Sequence, residues 1–300
     1  MSEFFKVPAS KYMRDKDFYL VRPASLNNPK DNSVMFIVEN HIHEANALLK
    51  CNDCLVFWPV GIDVPLEVKE RHIVVQDINP HTRFCSFFSE NNIRYLPKKE
   101  KTRFIEDAWI SIDAKIGKDV IIMPGAYIGG DTIIGDGSYI GAGARLVGKI
   151  IIGNNVIIRE NAVLGADGLT TDRDENGYAI TMPQFGGIII EDDVQIGANT
   201  VIARGAIDDT RIRRGAKIDN CCFISHNVDV GEDTFIVGET IMFGSASVGA
   251  RTLISGNCTI ANTVHIGSDS ILGMSATALK SLPDKVVAFG SPVTTIKEKH

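Results

Sequence analysis

The sequence predicts a mainly β fold in which a parallel β-helix of hexapeptide repeats follows a small α/β domain. Three observations predict it. Beyond about residue 104 an apolar residue recurs at every sixth position, the positions between are rich in Gly, Asp and Asn, and the first 97 residues follow neither pattern. A period of six suits neither an α-helix nor a hairpin, but three hexads complete one triangular coil of eighteen residues that stacks in parallel on the next.

The hexad register covers most of the chain. It runs from Ile110 to Leu164, resumes at Ile190 and, after a slip of four residues, continues from Ile212 to Ala278. About twenty-five hexads make about eight coils. We therefore predict that a column of mainly Ile side chains fills the interior of the β-helix.

The amino-terminal domain is predicted from apolar runs and helical periodicity. The runs DFYLVR, SVMFIV, DCLVFWPV and HIVVQD indicate strands, and the stretches around 40–50 and 80–92 indicate helices. The predicted organisation is an α/β domain over 1–97, a polar linker over 98–103, the β-helix over 104–282 with an inserted loop at 165–187, and a short tail over 283–300. An insertion in a solenoid bulges from one face, often the binding face, although a tolerated surface loop would give the same pattern.

Composition limits the possible functions. With 44% apolar and 23% charged residues, no signal peptide and no apolar run of membrane-spanning length, we expect a globular cytoplasmic protein without a membrane span. The net charge of −6 offers no basic field to nucleic acid. Cys51 and Cys54 form a C-x-x-C, but no second pair follows at zinc-ribbon spacing, so we expect no metal site and no permanently bound cofactor.

Five motifs give a more specific indication. They are GADG at 165–168, MPQFG at 182–186, IGANTVIARGAIDDT at 196–210, KIDN at 217–220 and ISHNV at 224–228. Together they resemble the UDP-3-O-acylglucosamine N-acyltransferases, hexapeptide-repeat enzymes that N-acylate a UDP-sugar in lipid A synthesis. The resemblance implies a left-handed β-helix, although crossovers are normally right-handed, and a homotrimer with sites between subunits.

The resemblance also implies site residues. His226 of ISHNV falls on the family's catalytic base, and Asn220 of KIDN is expected at the substrate. DNSVMFIVENHIH offers Phe36, Asn40 and His43 as contacts to the nucleotide, with Phe36 equally well explained as a core residue of its strand.

Two departures from the family pattern leave the acyl length open. Thr263 stands where the family usually carries a second active-site histidine. The sequence also ends at AFGSPVTTIKEKH, without the family's helical extension that helps to hold acyl carrier protein.

The coil geometry predicts, independently of the resemblance, whether His226 lies in the core or at an accessible turn. It lies two residues past the inward-facing Ile224, so we expect it at a turn and not in the core. Residues eighteen apart share a column, which puts Gly244 one coil further on and Asn262 two coils further on. An imidazole beside a position without a side chain predicts a slot for a narrow chain such as phosphopantetheine.

Two aspartates and four arginines complete the candidate set. Asp208 lies one coil before His226 if the register slip precedes it, and either Asp208 or Asp209 could orient the imidazole. Positive charge near the same coils could meet the phosphates of coenzyme A or a carrier protein, or could form a solvated face. These residues are Arg204, Arg211, Arg213 and Arg214, together with Lys217.

The predicted chemistry is direct acyl transfer. An amine that attacks a thioester must lose a proton, which imidazole can accept, while a backbone N–H near Gly244 could hold the oxyanion. We therefore predict an N-acyltransferase that moves an acyl group from acyl-CoA or acyl carrier protein to a nucleotide-linked amino sugar, for surface polysaccharide or glycolipid synthesis.

The sequence leaves three alternative functions. The first is the lipopolysaccharide (lipid A) enzyme itself, and the second is a non-catalytic β-helix that binds a partner. The third, a zinc hydratase, is disfavoured because only His226 and His265 lie within the repeat. A thiol nucleophile at Cys221 or Cys222 is not expected, since neither has an activating neighbour in the sequence.

Overall fold

The computed structural model describes residues 3–94 and 99–298. The fold divides after residues 96, 168 and 185 into two compact units. The α/β unit combines the amino-terminal segment with residues 169–185, and the β-helix unit contains the rest. Most of the inserted loop is therefore part of the α/β unit. The predicted domain end at 97 and the first linker residue, 98, lie outside the described residues.

The α/β unit is built on a parallel sheet of four strands. In spatial order they are Arg22–Pro23, Ser33–Phe36, Leu55–Pro59 and Ile73–Asp77. Two antiparallel pairs accompany it, Val7–Pro8 with Tyr19–Leu20 and Thr171–Arg173 with Ala179–Thr181. The helices are the 3₁₀ helices Ala9–Lys11 and Glu39–Lys50 and the α-helices Leu66–Arg71 and Pro80–Glu90. Every residue of Leu55–Pro59 is buried, as a continuous apolar run in a parallel sheet requires.

The β-helix unit has three sheets, which we call the first, second and third faces. The first face contains Thr102–Ile105, Ala108–Ser111, Tyr127–Ile128, Arg145–Leu146, Val163–Ala166, Val201–Ala203, Phe223–Ile224, Ile241–Met242, Thr259–Ile260 and Thr277–Ala278. The second face contains Lys115–Ile116, Thr132–Ile134, Ile150–Ile152, Ile188–Ile190, Thr210–Ile212, Asp229–Val230, Ser247–Val248 and His265–Ile266. The third face contains Ile121–Ile122, Tyr139–Ile140, Ile157–Ile158, Gln195–Ile196, Lys217–Ile218, Phe235–Ile236, Leu253–Ile254, Ile271–Leu272, Val286–Phe289 and Thr295–Glu298.

The parallel pairing follows the hexad register. Ile236 pairs with Ile254, eighteen residues later, and both are buried in the continuous apolar interior. Ile202 pairs instead with Ile224, twenty-two residues later, so the four extra residues lie just before Thr210. Within the described residues the second face has eight strands, which confirms the prediction of about eight coils.

Asn, Asp and Gly occupy the corners because the chain turns there in the left-handed region. Asn155, Asn227 and Asp269 have φ of 56°, 60° and 56°, a conformation that these short polar side chains tolerate. The corner that leads from the first face to the second, which we call the first corner, carries residues 167–168, 186–187, 204–209 and 226–227 of the β-helix unit. The two ends of the insertion, the register slip and His226 therefore share one corner.

Two predicted boundaries need correction. The strand Thr102–Ile105 pairs antiparallel with Ala108–Ser111, so the last residues of the predicted linker belong to the first face. The predicted tail contains Val286–Phe289, which pairs with Ile271–Leu272, and Thr295–Glu298, which turns back on it. Neither segment keeps the six-residue period, so the sequence pattern could not reveal them. Among the described residues, the helices are too short or too polar to traverse a bilayer.

Candidate active site

His226 lies at the first corner and outside the packed interior. The strand Phe223–Ile224 ends two residues before it, and Ile224 points inward with no exposed surface. His226 itself is half-buried and lies in a turn with Asn227. Its ring is therefore accessible to a substrate, which a residue of the Ile column would not be.

Two glycines leave the space that the ring occupies. A Cβ placed on Gly244 would lie 2.5 Å from Cε1 and 2.6 Å from Nε2 of His226. A Cβ placed on Gly168 would lie 2.7 Å from Cβ and Cδ2 of the same histidine. Any larger residue at either position would displace the ring. The strand register puts Gly244 one coil beyond His226, where the eighteen-residue column predicts it.

Asn227 holds the imidazole in one tautomer. The Ala206 N–H donates to Asn227 Oδ1 at 2.9 Å, and Asn227 Nδ2 donates to the Asp208 carbonyl at 2.8 Å. An N–H can only donate and a carbonyl can only accept, so these two bonds fix which way the amide faces. His226 Nδ1 lies 3.1 Å from Oδ1 and must carry the proton. The lone pair is therefore on Nε2, the atom beside Gly244.

The hydrogen bond of His226 Nδ1 is made with Asn227, in the coil next to that of the two aspartates, and the predicted orienting role of Asp208 or Asp209 stays a prediction. The Asp209 carboxylate accepts hydrogen bonds from Lys149 Nζ at 2.8 Å and from the Gly187 N–H at 2.7 Å. Asp208 acts on the imidazole indirectly, through the carbonyl that holds Asn227. Sequence columns could not show this, because the orienting residue is the immediate neighbour of His226 in a left-handed turn.

Asn262 and Thr263 lie two coils beyond His226, and both are exposed. The register from Met242 to Ile260 places Asn262 in the predicted column. The Thr263 N–H donates to the Gly244 carbonyl at 3.1 Å, and its φ is 62°. A β-branched residue in the left-handed region is strained, and such strain is often found at functional sites.

The predicted arginine cluster is divided. Arg204 is 3% exposed at the first corner, with Nε 2.9 Å from Asp167 Oδ1. Arg213 makes two hydrogen bonds with the Asp229 carboxylate, at 2.8 and 2.6 Å, and this pairing raises its pKa above the usual value.

The remaining arginines lie on the second face or just after it. Arg214 lies 3.5 Å from Glu232, and Arg211 is exposed on the second face. The structure does not bring the four guanidinium groups together as one phosphate site. Sequence proximity suggested a cluster because it ignored which corner each side chain reaches.

Two other predicted residues are also away from this corner. Asn220 follows the third face, where its Oδ1 accepts a hydrogen bond from the Ala198 N–H at 2.6 Å. Within one chain it stabilises the corner between the third face and the first, whereas His226 lies at the first corner. His265 lies on the second face with Nδ1 2.9 Å from Ser247 Oγ. Burial raises the pKa of Cys222 to about 11, which disfavours a thiolate there at neutral pH.

Two grooves of the β-helix unit, of about 440 and 400 Å³, lie along the third face and its corners instead of at His226. Both include Lys217 and Phe235. They are open surface grooves, and none of the residues that line them lies at the first corner.

In the α/β unit, Phe36 lies at the carboxyl end of its strand, where open parallel sheets bind ligands. Its half-buried ring packs 4.9 Å from that of Phe84 and 5.2 Å from that of His81. Asn40 and His43 lie exposed on the following 3₁₀ helix. The Phe36 ring therefore packs against its neighbours and also keeps part of its surface exposed to solvent.

His81 was not predicted from the sequence. It lies in the first turn of Pro80–Glu90, with Nδ1 2.9 Å from Asp172 Oδ2. Thr82 Oγ1 donates to the same oxygen at 2.6 Å. Asp172 comes from the insertion, ninety-one residues away in sequence from His81, so no local pattern could have indicated the contact.

Comparison with known proteins agrees with the motifs. The bacterial transferase hexapeptide model (six repeats) matches residues 113–148 and 132–166. The UDP-3-O-acylglucosamine N-acyltransferase of Wolinella succinogenes is 35% identical over 147 residues, which are 49% of this chain and 46% of that protein. The Coxiella burnetii protein of the same name is 50% identical over 94 residues, 31% of this chain and 28% of that protein. The chain therefore spans less than half the length of the curated relatives it matches.

A solved structure supports the fold. LpxA, a UDP-N-acetylglucosamine acyltransferase from Bacteroides fragilis, superposes with a TM-score of 0.58 at 24% identity, over 64% of this chain and 73% of that one. The shared fold confirms the predicted left-handed parallel β-helix. The chain thus carries the bacterial transferase hexapeptide repeat and, as its motifs predicted, is similar over about half its length to the UDP-3-O-acylglucosamine N-acyltransferases.

Proposed function

We propose that this chain is an N-acyltransferase that moves an acyl group from a thioester donor to the amine of a nucleotide-linked amino sugar. The single observation that carries the proposal is the state of His226, whose Nδ1 proton is held by Asn227 while the Nε2 lone pair lies beside Gly244. A half-buried imidazole in one fixed tautomer is suited to general base catalysis. The similarity to enzymes named as N-acyltransferases supports the same reaction.

The reaction needs one base and one oxyanion donor. The amine nitrogen attacks the thioester carbon, a C–N bond forms, and His226 Nε2 accepts the proton that the nitrogen loses. We assign the oxyanion to the Gly244 N–H, which donates no hydrogen bond within the part of the chain that the structure describes. The C–S bond then breaks, and the imidazolium returns the proton to the departing sulfur. The products are an amide and a free thiol.

The nucleotide is assigned to the α/β unit. Phe36 and His81 supply rings at the carboxyl edge of the parallel sheet, with Asn40 and His43 on the adjacent 3₁₀ helix. Aromatic rings stack on nucleobases, and the exposed amide of Asn40 can read a base edge. Asp172, held by His81, lies beside the same rings and is a further candidate contact.

The donor is acyl-CoA or acyl carrier protein, bound through its phosphopantetheine arm. Gly244, Asn262 and Thr263 line the column beyond His226 with little side-chain bulk. We assign the phosphopantetheine arm to this column and not to Arg204, Arg213 and Arg214, which already lie beside carboxylates. No permanently bound cofactor is required by this reaction.

A cytoplasmic homotrimer completes the proposal. Phe223, Ile241 and Phe243 are 38%, 36% and 40% exposed on and beside the first face, next to the corner that carries His226. An apolar stripe of this kind marks a protein contact. A neighbouring subunit would cover it and enclose the half-exposed imidazole.

The proposal is tested by measuring thiol release from acetyl, 3-hydroxybutyryl and long 3-hydroxyacyl thioesters with UDP- and dTDP-amino sugars. We expect His226→Ala to lower kcat by about 10²- to 10⁴-fold, the range for a lost general base. His265→Ala is the matched control and should retain full activity. Thiol release that persists undiminished in His226→Ala would contradict the proposal.

The lipid A enzyme itself is the second candidate. It is favoured by the similarity to proteins named UDP-3-O-acylglucosamine N-acyltransferase. The same assay separates the two, because that enzyme requires a long hydroxyacyl donor and a UDP-sugar already acylated at the 3-position. Preference for a short acyl donor would exclude it.

A further inference from the structure

Two cysteines and a histidine meet in the α/β unit, outside the site described above. Cys51 ends the 3₁₀ helix Glu39–Lys50, Cys54 precedes the strand Leu55–Pro59, and His72 precedes the strand Ile73–Asp77. Their ligand atoms all lie within 4.8 Å of one another. The three residues are 1%, 0% and 2% exposed.

The distance between the two sulfurs fits a shared metal ion. Cys51 Sγ and Cys54 Sγ are 3.7 Å apart. Two thiolates bound to tetrahedral zinc at about 2.3 Å are separated by about 3.8 Å. A disulfide would instead require a separation of about 2.05 Å.

The histidine is oriented as a metal ligand is. His72 Nε2 lies 2.9 Å from the Leu48 carbonyl, which can only accept, so Nε2 carries the proton. The Nδ1 lone pair therefore faces the cysteines, where its partner is the Cys54 N–H at a long 3.3 Å. Metal-bound histidines characteristically donate their other ring N–H to a carbonyl or carboxylate. A metal ion bound to Nδ1 would replace the long hydrogen bond from the Cys54 N–H and would leave the shorter one to the Leu48 carbonyl in place.

Oxygen atoms are present for a fourth ligand. Ser33 Oγ and the Lys30 carbonyl lie 3.4 and 3.2 Å from Cys54 Sγ. Ser33 is completely buried. A divalent cation with two thiolates and neutral histidine and oxygen ligands carries no net charge, so its burial would cost little.

We propose that Cys51, Cys54 and His72 form a structural zinc site. The ion would link the end of the 3₁₀ helix to two neighbouring strands of the parallel sheet. Burial of all three ligands leaves no route for substrate, so the role is structural and not catalytic. The site departs from the expectation of no metal, because its third ligand comes eighteen residues after Cys54 and outside any zinc-ribbon spacing.

The test uses the full-length protein purified without chelators. Mass spectrometry of metals should find one zinc per chain, and the metal-free protein titrated with Co²⁺ should develop thiolate-to-cobalt charge-transfer absorption. Cys51→Ser, Cys54→Ser and His72→Gln should each lose zinc and this absorption. Cys258→Ser, a change at an equally buried cysteine of the β-helix unit, should keep both.

The wild-type measurements decide the matter if a variant fails to fold. A zinc-free wild-type chain whose metal-free form gives no cobalt absorption would overturn the proposal. An intact mass lower by two hydrogen atoms, with Cys51 and Cys54 in one disulfide, would also overturn it. Zinc content unchanged in Cys54→Ser would show that the metal binds elsewhere.

Discussion

In the β-helix, paired side chains are eighteen residues apart in sequence except where the insertion and the register slip lengthen a coil, whereas in the α/β unit they come from segments with no common spacing. Val230 and Val248 are paired neighbours eighteen residues apart, and the same interval joins Ile236 to Ile254. His81 and Asp172, by contrast, are ninety-one residues apart. The difference arises because each coil repeats the previous backbone path, while a packed sheet and helices do not.

This difference determines which candidate functional residues a sequence can reveal. The column from His226 to Gly244 follows from counting, since the register is strictly maintained between them. The three proposed zinc ligands and the contact of His81 with Asp172 became visible only in the folded α/β unit. At the first corner only some contacts follow from the eighteen-residue interval, because the register slip and the insertion interrupt the repeat there.

The largest effect that would sharpen this comparison is expected from Gly244→Ala. Its new Cβ would lie 2.5 Å from the His226 ring and displace it. Displacement of a catalytic group by about 1 Å costs about 10²-fold in kcat. The matched control is Gly256→Ala, where the nearest atom would lie at an ordinary 3.5 Å. Equal activity of both variants in the thiol-release assay would show that the column does not position the base.

Asn227→Ala should lower kcat by about tenfold, since one hydrogen bond of about 1.4 kcal/mol then no longer orients the imidazole. Asn227→Asp would place a carboxylate beside the ring and stabilise the imidazolium. We therefore expect the acidic limb of the pH–rate profile to move to higher pH in Asn227→Asp. A profile identical to that of the wild type would mean that Asn227 supports the turn without acting on His226.

Replacing Thr263 tests the strain near the column. Thr263→Asn should raise the free energy of unfolding by about 1 kcal/mol, because Asn tolerates the φ of 62° better than a β-branched residue. Thr259→Asn, in the preceding strand, should bring no such gain. The comparison is made by urea unfolding, and a destabilised Thr263→Asn would argue against backbone strain at this position.

The smallest effect concerns the α/β unit and its pH dependence. Burial opposes ionisation of Asp172, but hydrogen bonds from Thr82, the Arg173 N–H and His81 outweigh it and lower the pKa of Asp172. A lowered pKa stabilises the fold above the ordinary value of 3.8, and this stabilisation is lost as the pH falls through the folded-state pKa.

Asp172→Asn should therefore remove at most about 1 kcal/mol at pH 7 and flatten the acid limb of stability below about pH 4. Exposed Asp63 provides the control, since Asp63→Asn should leave that limb unchanged. Urea midpoints measured between pH 6 and pH 3 make the comparison. If Asp172→Asn loses stability at low pH as the wild type does, the hydrogen bonds of Asp172 are not the cause of that loss.

Sequence alone predicted the β-helix, its register and the position of His226, because a six-residue period assigns each residue to a face before any contact is known. It did not predict the strand Val286–Phe289, which lacks the period, or the separation of the arginines between corners. It also named Asp208 or Asp209 as the orienting group and did not predict the hydrogen bond between Asn227 and His226 Nδ1. The arginine and imidazole contacts depend on the direction of individual side chains at turns, which a repeat period does not specify.

What the sequence determined, then, is the periodic part of the molecule, where one backbone geometry is repeated and spacing alone specifies contact. Tertiary structure decided the tautomer of His226, the pairing of His81 with Asp172 and the meeting of Cys51, Cys54 and His72. The physical reason is that hydrogen bonds and metal ligands depend on atom positions to within a few tenths of an ångström. Only the packing of distant segments fixes those positions.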